Sequence, residues 1–409
     1  MTPRNGHLMQ IITETDALAR FCDEAAQAPY VTLDTEFMRE RSYYSKLCLV
    51  QMALPLAEDE KGDGRAVLVD PLAPTLSLAP FWALLRNEAV VKVLHAARQD
   101  VEIFYIDGGV IPRPLFDTQI ASMVCGFGEQ AGYETLVRKI AHAKLDKTSR
   151  FTDWSRRPLS EAQMRYALAD VTHLRVIYEQ LSGMLARNGR AGWLDEEMAV
   201  LTSPETYVTR PDDAWKRIKT RSNAPRFLAL VQALARFREE YAQGRNIPRS
   251  RVFKDDALLE LASTRPESLE SLGQSRLLMR EARRGEIAEG IVTAVRDALA
   301  LKAEALPRAE EPAKGQLQVN PALADLLRVL LKARAEESGV APKLIANAAE
   351  LDALAAGQRD LACLRGWRGE LFGADALRLC QGELALAAKG ARVCTVPLPQ
   401  AEKAQAGES

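Results

Sequence analysis

The sequence predicts an α/β domain, a mixed sheet flanked by helices, followed by two all-α helical bundles. Three observations predict it. Through about residue 200, short apolar runs alternate with segments of helical periodicity, the pattern of strands and helices that share one sheet. From Ser203 onward the strand signal disappears and the chain becomes rich in Ala and Leu at helical spacing. The Pro/Glu/Ala segment EALPRAEEPAKGQ then divides this helical half in two, as a linker does. With 409 residues, the chain exceeds what one hydrophobic core usually organises.

Taken in order, the strands are expected at Tyr30 to Leu33, Leu47 to Leu54, Ala66 to Val69 and Val90 to Leu94. Helices are expected at Asp16 to Ala28, Leu78 to Arg86 and Ser160 to Leu181. The expected divisions are an α/β domain over 1–200, helical domains over 205–305 and 316–395, and a disordered tail over 396–409, VPLPQAEKAQAGES.

Composition sets bounds on the class. The chain is 47% hydrophobic and 27% charged, with 54 basic against 55 acidic residues, as in a soluble globular protein. It has no apolar run long enough to cross a bilayer, and its N-terminus lacks the basic-then-apolar order of a signal peptide. The six cysteines are scattered without zinc-ligand spacing, so a reducing, cytoplasmic setting is expected. The neutral total hides an asymmetry. From Arg210 to Lys254 there are twelve Lys/Arg against four acids, and from Gln316 to Thr395 ten against nine. Only the first helical segment carries a polyanion footprint.

The chemistry begins at VTLDTEF, where Asp34 and Glu36 are two apart on a strand and so share a face. In VVKVLHAARQDVEIFY a strand ends at Leu94 and a helix begins near Ala97, with Asp100 in its early turns. In PLSEAQMRYALADVTHLRVIYEQL, Ser160 and Gln163 form a capping box that starts a helix. Its core stripe is Met164, Ala167, Leu168, Val171, Leu174, Tyr178 and Leu181, which leaves Tyr166 and Asp170 together on another face. Alone, each motif has an ordinary reading: a solvated strand end, a carboxylate on a helix dipole, a packed Tyr. Together they are four acids from three elements, which would repel one another unless hard divalent cations offset the charge. Two Mg²⁺ or Mn²⁺ ions, about 3.5 to 4 Å apart, are the usual means of in-line attack on a phosphodiester.

This order, a strand D-x-E, a strand-to-helix Asp and a helical Y-x-x-x-D, resembles the DEDD exonucleases in their tyrosine variant. The stretches DTEFMRERSYYSKLCLVQMA, HAARQDVEIF, LFDTQIA, LDKTSRFTDWSRRPLS and MRYALADVTHLRVIYEQL are similar to the ribonuclease D family through most of residues 10 to 190. The basic segment, from AWKRIKTRSNAPRF to ESLESL, resembles the HRDC domain, with Phe237 where a tryptophan is more usual; a second copy is expected around LRGWRGELFGADALRLCQG. The resemblance implies a ribonuclease H-like sheet and a 3'-to-5' exoribonuclease that trims tRNA precursors and other structured RNAs, releasing nucleoside 5'-monophosphates. It implies Asp34, Glu36, Asp100 and Asp170 as metal ligands and Tyr166 beside the attacking water. It also implies a monomer with no obligate protein partner.

Further residues carry two readings each. Phe37 stacks on a terminal base or, since alternation turns it from Glu36, packs in the core. His95 is structural or lies at the substrate's edge, and Gln99 touches the terminal nucleotide or caps its own helix. Lys147, Arg150, Arg156 and Arg157 hold RNA phosphates or form a solvated loop that pins Trp154. Asp117 is expected as a helix N-cap outside the site. Two other functions compete: a DNA-directed 3'-to-5' exonuclease, since acids alone do not distinguish sugars, and a non-catalytic RNA-binding scaffold.

Overall fold

The structure, a computed structural model of the chain, describes residues 11–57, 64–146, 148–149, 152–220, 222–307 and 318–399. Six strands form the main sheet: β1 (Ile11–Ile12), β2 (Tyr30–Met38), β3 (Lys46–Ala53), β4 (Ala66–Val69), β5 (Val91–Leu94) and β6 (Leu115–Asp117), in the order β1-β4-β3-β2-β5-β6. β3 runs antiparallel to both its neighbours, and the other pairings are parallel. Seven of the eight residues of β3 are buried, which explains its nearly unbroken apolar sequence. Parallel neighbours need crossovers, and helices lie on them: α1 (Thr15–Ala25), α2 (Ala79–Arg86) and α3 (Arg98–Gly108); α4 (Thr118–Val124) follows β6. A short α5 (Tyr133–Leu136) precedes the long α6 (Glu161–Arg187), which packs across β2, β3 and β4.

α6 starts where the sequence places it. Ser160 Oγ accepts from the Gln163 backbone N–H at 3.2 Å, and Gln163 Oε1 accepts from the Ser160 N–H at 3.0 Å. Its buried stripe runs through Ala167, Leu168, Val171, Leu174, Ile177 and Leu181. Tyr178 is instead half-buried, its ring 4.5 Å from Tyr30 and 4.9 Å from Phe116.

The basic segment folds around its own core, with Leu230, Leu234, Phe253, Leu258, Leu261 and Ile291 at its centre. Its helices include α8 (Pro225–Arg245), which follows α7 (Asp195–Leu201). From the α/β domain, Tyr43 in the loop after β2 enters that core, and Tyr44 packs against it. The Tyr43 hydroxyl contacts Glu239, and Arg249 binds both Glu239 oxygens at 2.5 and 2.6 Å. Asn246, left-handed at the end of α8 (φ 49°), accepts from the Tyr43 and Tyr44 backbone N–H groups at 3.1 and 2.9 Å. A buried latch therefore fixes the helical bundle to the loop that follows β2.

The last segment differs. Its apolar residues, among them Leu327, Leu330, Ile345, Leu354, Phe372 and Leu384, belong to the same continuous core as Leu18, Val31, Phe81, Phe104 and Leu181 of the α/β domain. Arg368 is tied across to Glu196 and Glu197 of α7, and Trp367 stacks on Trp193 at 4.4 Å. The sequence pattern predicts an all-α bundle here, and the segment departs from it. Leu384–Lys389 and Arg392–Pro397 form an antiparallel hairpin that closes through Gly390 (φ 62°) and Ala391, the glycine-first pattern of a two-residue turn. Alanines in LALAAK hide the strand, and the hairpin takes in Val396 and Pro397, which the sequence pattern assigns to the tail. Residues 400–409 of that tail lie outside the described residues.

Candidate active site

Asp34 and Glu36, two apart on β2, share one face of the strand with Thr32. The Thr32 hydroxyl donates to the Val171 carbonyl of α6 at 2.9 Å, so the Thr32, Asp34 and Glu36 face looks toward that helix. On α6, Asp170 is buried. One carboxylate oxygen from each of Asp34, Glu36 and Asp170 lies within 4.8 Å of the other two. These are hard donors at a spacing suited to a divalent cation.

Asp100 is not one of the three acids that converge within 4.8 Å; it lies near enough to Asp34 for its charge to act on that carboxyl, and it meets β2 on the face of Thr35. It sits in the first turn of α3, buried, and accepts from the Thr35 hydroxyl at 2.5 Å. Burial pushes its carboxyl up to about 7, against the opposing hydrogen bond from Thr35. Burial also raises Asp34 well above the usual carboxylate range, reinforced by Asp170, Asp100 and Glu36. Such a cluster resists ionisation of all four carboxyls and welcomes a cation.

The donor set fits a divalent metal on a second count. Gln51 stands directly opposite Asp34 in the β2–β3 register, so the two side chains share a face. It is fully buried, and neither its amide nitrogen nor its amide oxygen has a hydrogen-bond partner. A buried amide without partners is uncommon and suits a site that takes up water or an ion.

A cavity of about 280 Å³ opens at Asp34 and Asp170, lined also by His95, Tyr133, Tyr166 and Leu145 among others. Tyr166 is half-buried, one helical turn before Asp170, its ring 6.1 Å from that of Trp154. Tyr133 carries no sequence signal. Its hydroxyl donates to the Asp170 carbonyl at 2.6 Å, with the Ala169 carbonyl at 3.1 Å, and so ties α5 to α6 at the acidic residue. Burial and the nearby Asp170, Asp34 and Tyr166 hold its phenol well above the usual value, which keeps it a donor.

His95 lines this cavity. The Thr118 hydroxyl donates to the Leu94 carbonyl at 3.1 Å and therefore accepts from His95 Nδ1 at 3.0 Å. That assignment leaves Nε2 as an acceptor. Burial lowers the ring's pKa to about 4, so it is neutral near pH 7. Asp117 caps α4 through the Gln119 N–H at 2.8 Å, as expected, and also accepts from Ala96 and Ala97 at 3.0 and 2.9 Å. The second pair holds the turn between His95 and Asp100, where Ala96 is left-handed (φ 56°).

The remaining residues separate. Gln99 does not line the acidic cavity; it lines a second one, beside the basic bundle. Successive helix residues point about 100° apart, so Gln99 and Asp100 face different ways. The register shifts between Glu36 and Phe37, a bulge that re-aims the strand, and Phe37 packs half-buried against the core. Arg156 is exposed. Arg157 is committed to Asp70, both of its contacts there at 2.6 Å, and to the Cys48 and Trp154 carbonyls. Trp154 is buried, as expected of a loop that pins it. Lys147 and Arg150 lie outside the described residues.

A family model described as 3'-5' exonuclease matches residues 9–186, and an HRDC domain model matches residues 227–295. The chain is 60% identical over 382 residues to Ribonuclease D of Jannaschia sp. (strain CCS1), covering 93% of this chain and 98% of that protein. It is 46% identical over 384 residues to Ribonuclease D of Granulibacter bethesdensis, covering 94% and 95%. Among solved structures it is similar to Escherichia coli RNase D, described as an exoribonuclease involved in structured RNA processing. There the TM-score is 0.77 and the identity 30%, with 92% of this chain and 99% of the other covered.

Proposed function

Since this chain belongs to the ribonuclease D family and is a 3'-to-5' exoribonuclease, we propose that it hydrolyses RNA with two divalent metal ions held by Asp34, Glu36, Asp100 and Asp170. The observation that supports this most is the approach of Asp34, Glu36 and Asp170 within 4.8 Å of one another, with buried Asp100 held by Thr35 and acting on Asp34 by its charge. Bound there, Mg²⁺ or Mn²⁺ supplies Lewis acidity, which lowers the pKa of water and stabilises charge on the leaving 3' oxygen.

The chain's own groups do the rest. Tyr166 orients the attacking water through its phenol, and Glu36 accepts that water's hydrogen bond. Tyr133 holds the Asp170 backbone in place from behind. Neutral His95 offers Nε2 as an acceptor at the rim of the cavity, where the terminal nucleotide is bound. The exposed Arg156 contacts phosphate, as do Lys147 and Arg150 in this reading, and the basic bundle captures RNA with little base preference.

The product is a nucleoside 5'-monophosphate, and the substrates are tRNA precursors with 3' extensions and other structured RNAs. In this reading residues 1–200 are the nuclease domain, and 205–305 and 316–395 are two HRDC-like domains. The protein works as a monomer in the cytoplasm. Six free cysteines suit a reducing compartment, and among the described residues no helix is long and apolar enough to cross a membrane.

Parallel digestions of a 5'-labelled and a 3'-labelled tRNA precursor test the reading. A 5' label that shortens progressively and a 3' label released at once as a mononucleotide 5'-phosphate are expected, with both stopped by chelator. Release from the 5' end, internal cuts, or activity in excess chelator would overturn it. Single-stranded DNA of matched length, run alongside, separates RNA from DNA hydrolysis.

A further inference from the structure

A second cavity, of about 480 Å³, lies between the nuclease domain and the basic helical bundle. Its walls come from three places: the loop after β2, one face of α3, and the bundle with the segment leading into it. Four arginines line it, Arg39, Arg98, Arg217 and Arg249, together with the half-buried rings of Tyr44 and Tyr105. We propose that this cavity binds the phosphodiester backbone of the RNA strand behind its 3' end, with the arginines on phosphates and the tyrosines against bases.

The charges support an anion. Glu102 lines the cavity and pairs with Arg39 at 2.8 Å, and Arg249 is held by the buried Glu239. Among the described residues, Arg98 and Arg217 form no ion pair: Arg98 donates only to the Thr206 carbonyl and Arg217 only to Thr209 Oγ1, each at 3.3 Å. Two exposed guanidinium groups with long, single hydrogen bonds keep most of their donors for a ligand, and their planar fork matches phosphate oxygens. A small anion would not need aromatic walls. A ribonucleotide strand uses both, because bases stack on tyrosine whatever their identity.

The position supports a strand that is already in the active site. Gln99 lines this cavity and its neighbour Asp100 is one of the buried acids, so the two sites share the first turn of α3. Arg39 follows Glu36 by three residues, roughly 10 Å along an extended strand. The walls are also fixed. Tyr43 and Glu239 are buried at the junction, and Asn246 holds the loop backbone, so the cavity exists before RNA arrives. Arg98 stands outside the basic run of the bundle, and it is the fold that brings it there.

This inference rests on the proposed function, and the experiment keeps the two apart. The double variant Arg98→Ala/Arg217→Ala is compared with the wild type on a single-stranded 12-nucleotide RNA and on a dinucleotide, which is too short to span both sites. We expect the ratio of kcat/KM for the long over the short substrate to fall roughly tenfold. The logarithmic salt dependence of binding to the long RNA should become shallower by about 1.4, since each phosphate left without its arginine reduces the slope by about 0.7. Both side chains are exposed, so folding is checked by an unchanged thermal transition. Arg98→Lys/Arg217→Lys keeps the charge and should restore the salt slope. A double-alanine variant that folds and retains the wild-type substrate ratio and salt slope overturns the subsite alone. A wild-type protein that hydrolyses neither RNA removes the proposed function and this inference with it.

Discussion

Thr35 donates its hydroxyl to Asp100 from the face of β2 opposite to Asp34 and Glu36, at 2.5 Å. A single strand thus engages acids on both of its faces: two are its own, and one comes from α3 and is held through the intervening threonine. Removing that donor tests whether Asp100 needs to be aimed. Thr35→Val keeps the buried volume but leaves the carboxylate without its partner. A fall in kcat of about tenfold is expected, with an unchanged far-UV spectrum and a higher metal concentration at half activity.

Asp34 is the acid that feels all three others. Asp34→Asn should reduce turnover by roughly three orders of magnitude while RNA affinity stays within about threefold, because phosphate contacts elsewhere carry the binding. Turnover from single-turnover kinetics and affinity from fluorescence anisotropy in chelator check the two halves separately.

The metal-free protein should lose stability as pH rises. Asp100 is raised to about 7 in the fold, by burial first, and Asp34 is raised as well. A carboxyl whose folded pKa lies above its unfolded value of about 4 contributes its full stability below that lower value and loses it as pH rises through the folded one. Between pH 5 and 8 the site should therefore cost on the order of 2 kcal/mol in chelator, and millimolar Mg²⁺ should restore most of it at pH 8. Thermal melts at the two pH values, with and without the ion, check this. Asp100→Asn should flatten the profile in chelator.

Glu239→Gln breaks the latch between the bundle and the loop after β2. Burial alone would raise the Glu239 carboxyl, but hydrogen bonds from Arg249 and Tyr43 hold it below its usual value. Losing that charge should destabilise the bundle by roughly 2 kcal/mol, less than for a wholly buried pair because the Arg249 side chain is 35% exposed. Limited proteolysis after Arg39 and Arg41 should accelerate in the same variant.

Much of the site is legible in the sequence because its parts are local. The D-x-E pair needs only strand alternation, and the capping box of Ser160 and Gln163 starts α6 at the residue the motif marks. What escapes depends on partners far away in the chain. Gln99 reads like a neighbour of Asp100, yet helical rotation sends it to the other cavity. Gln51 stands out in LCLVQMAL only once the strand register sets it opposite Asp34. Lys92 carries no sequence signal, yet it is fully buried, its ammonium held by the carbonyls of Asn87, Val90 and Arg113. Arg157 resembles an RNA contact by charge alone, and only the tertiary fold commits it to Asp70.

The two C-terminal segments are attached to the nuclease on different terms. The basic bundle has its own interior and touches the catalytic half through a latch, so evolution or an engineer can exchange it as a unit. The final segment has no such independence, since Leu327, Ile345 and Phe372 complete the same interior as Leu18 and Phe104. Deleting it would not trim an accessory; it would unroof the enzyme.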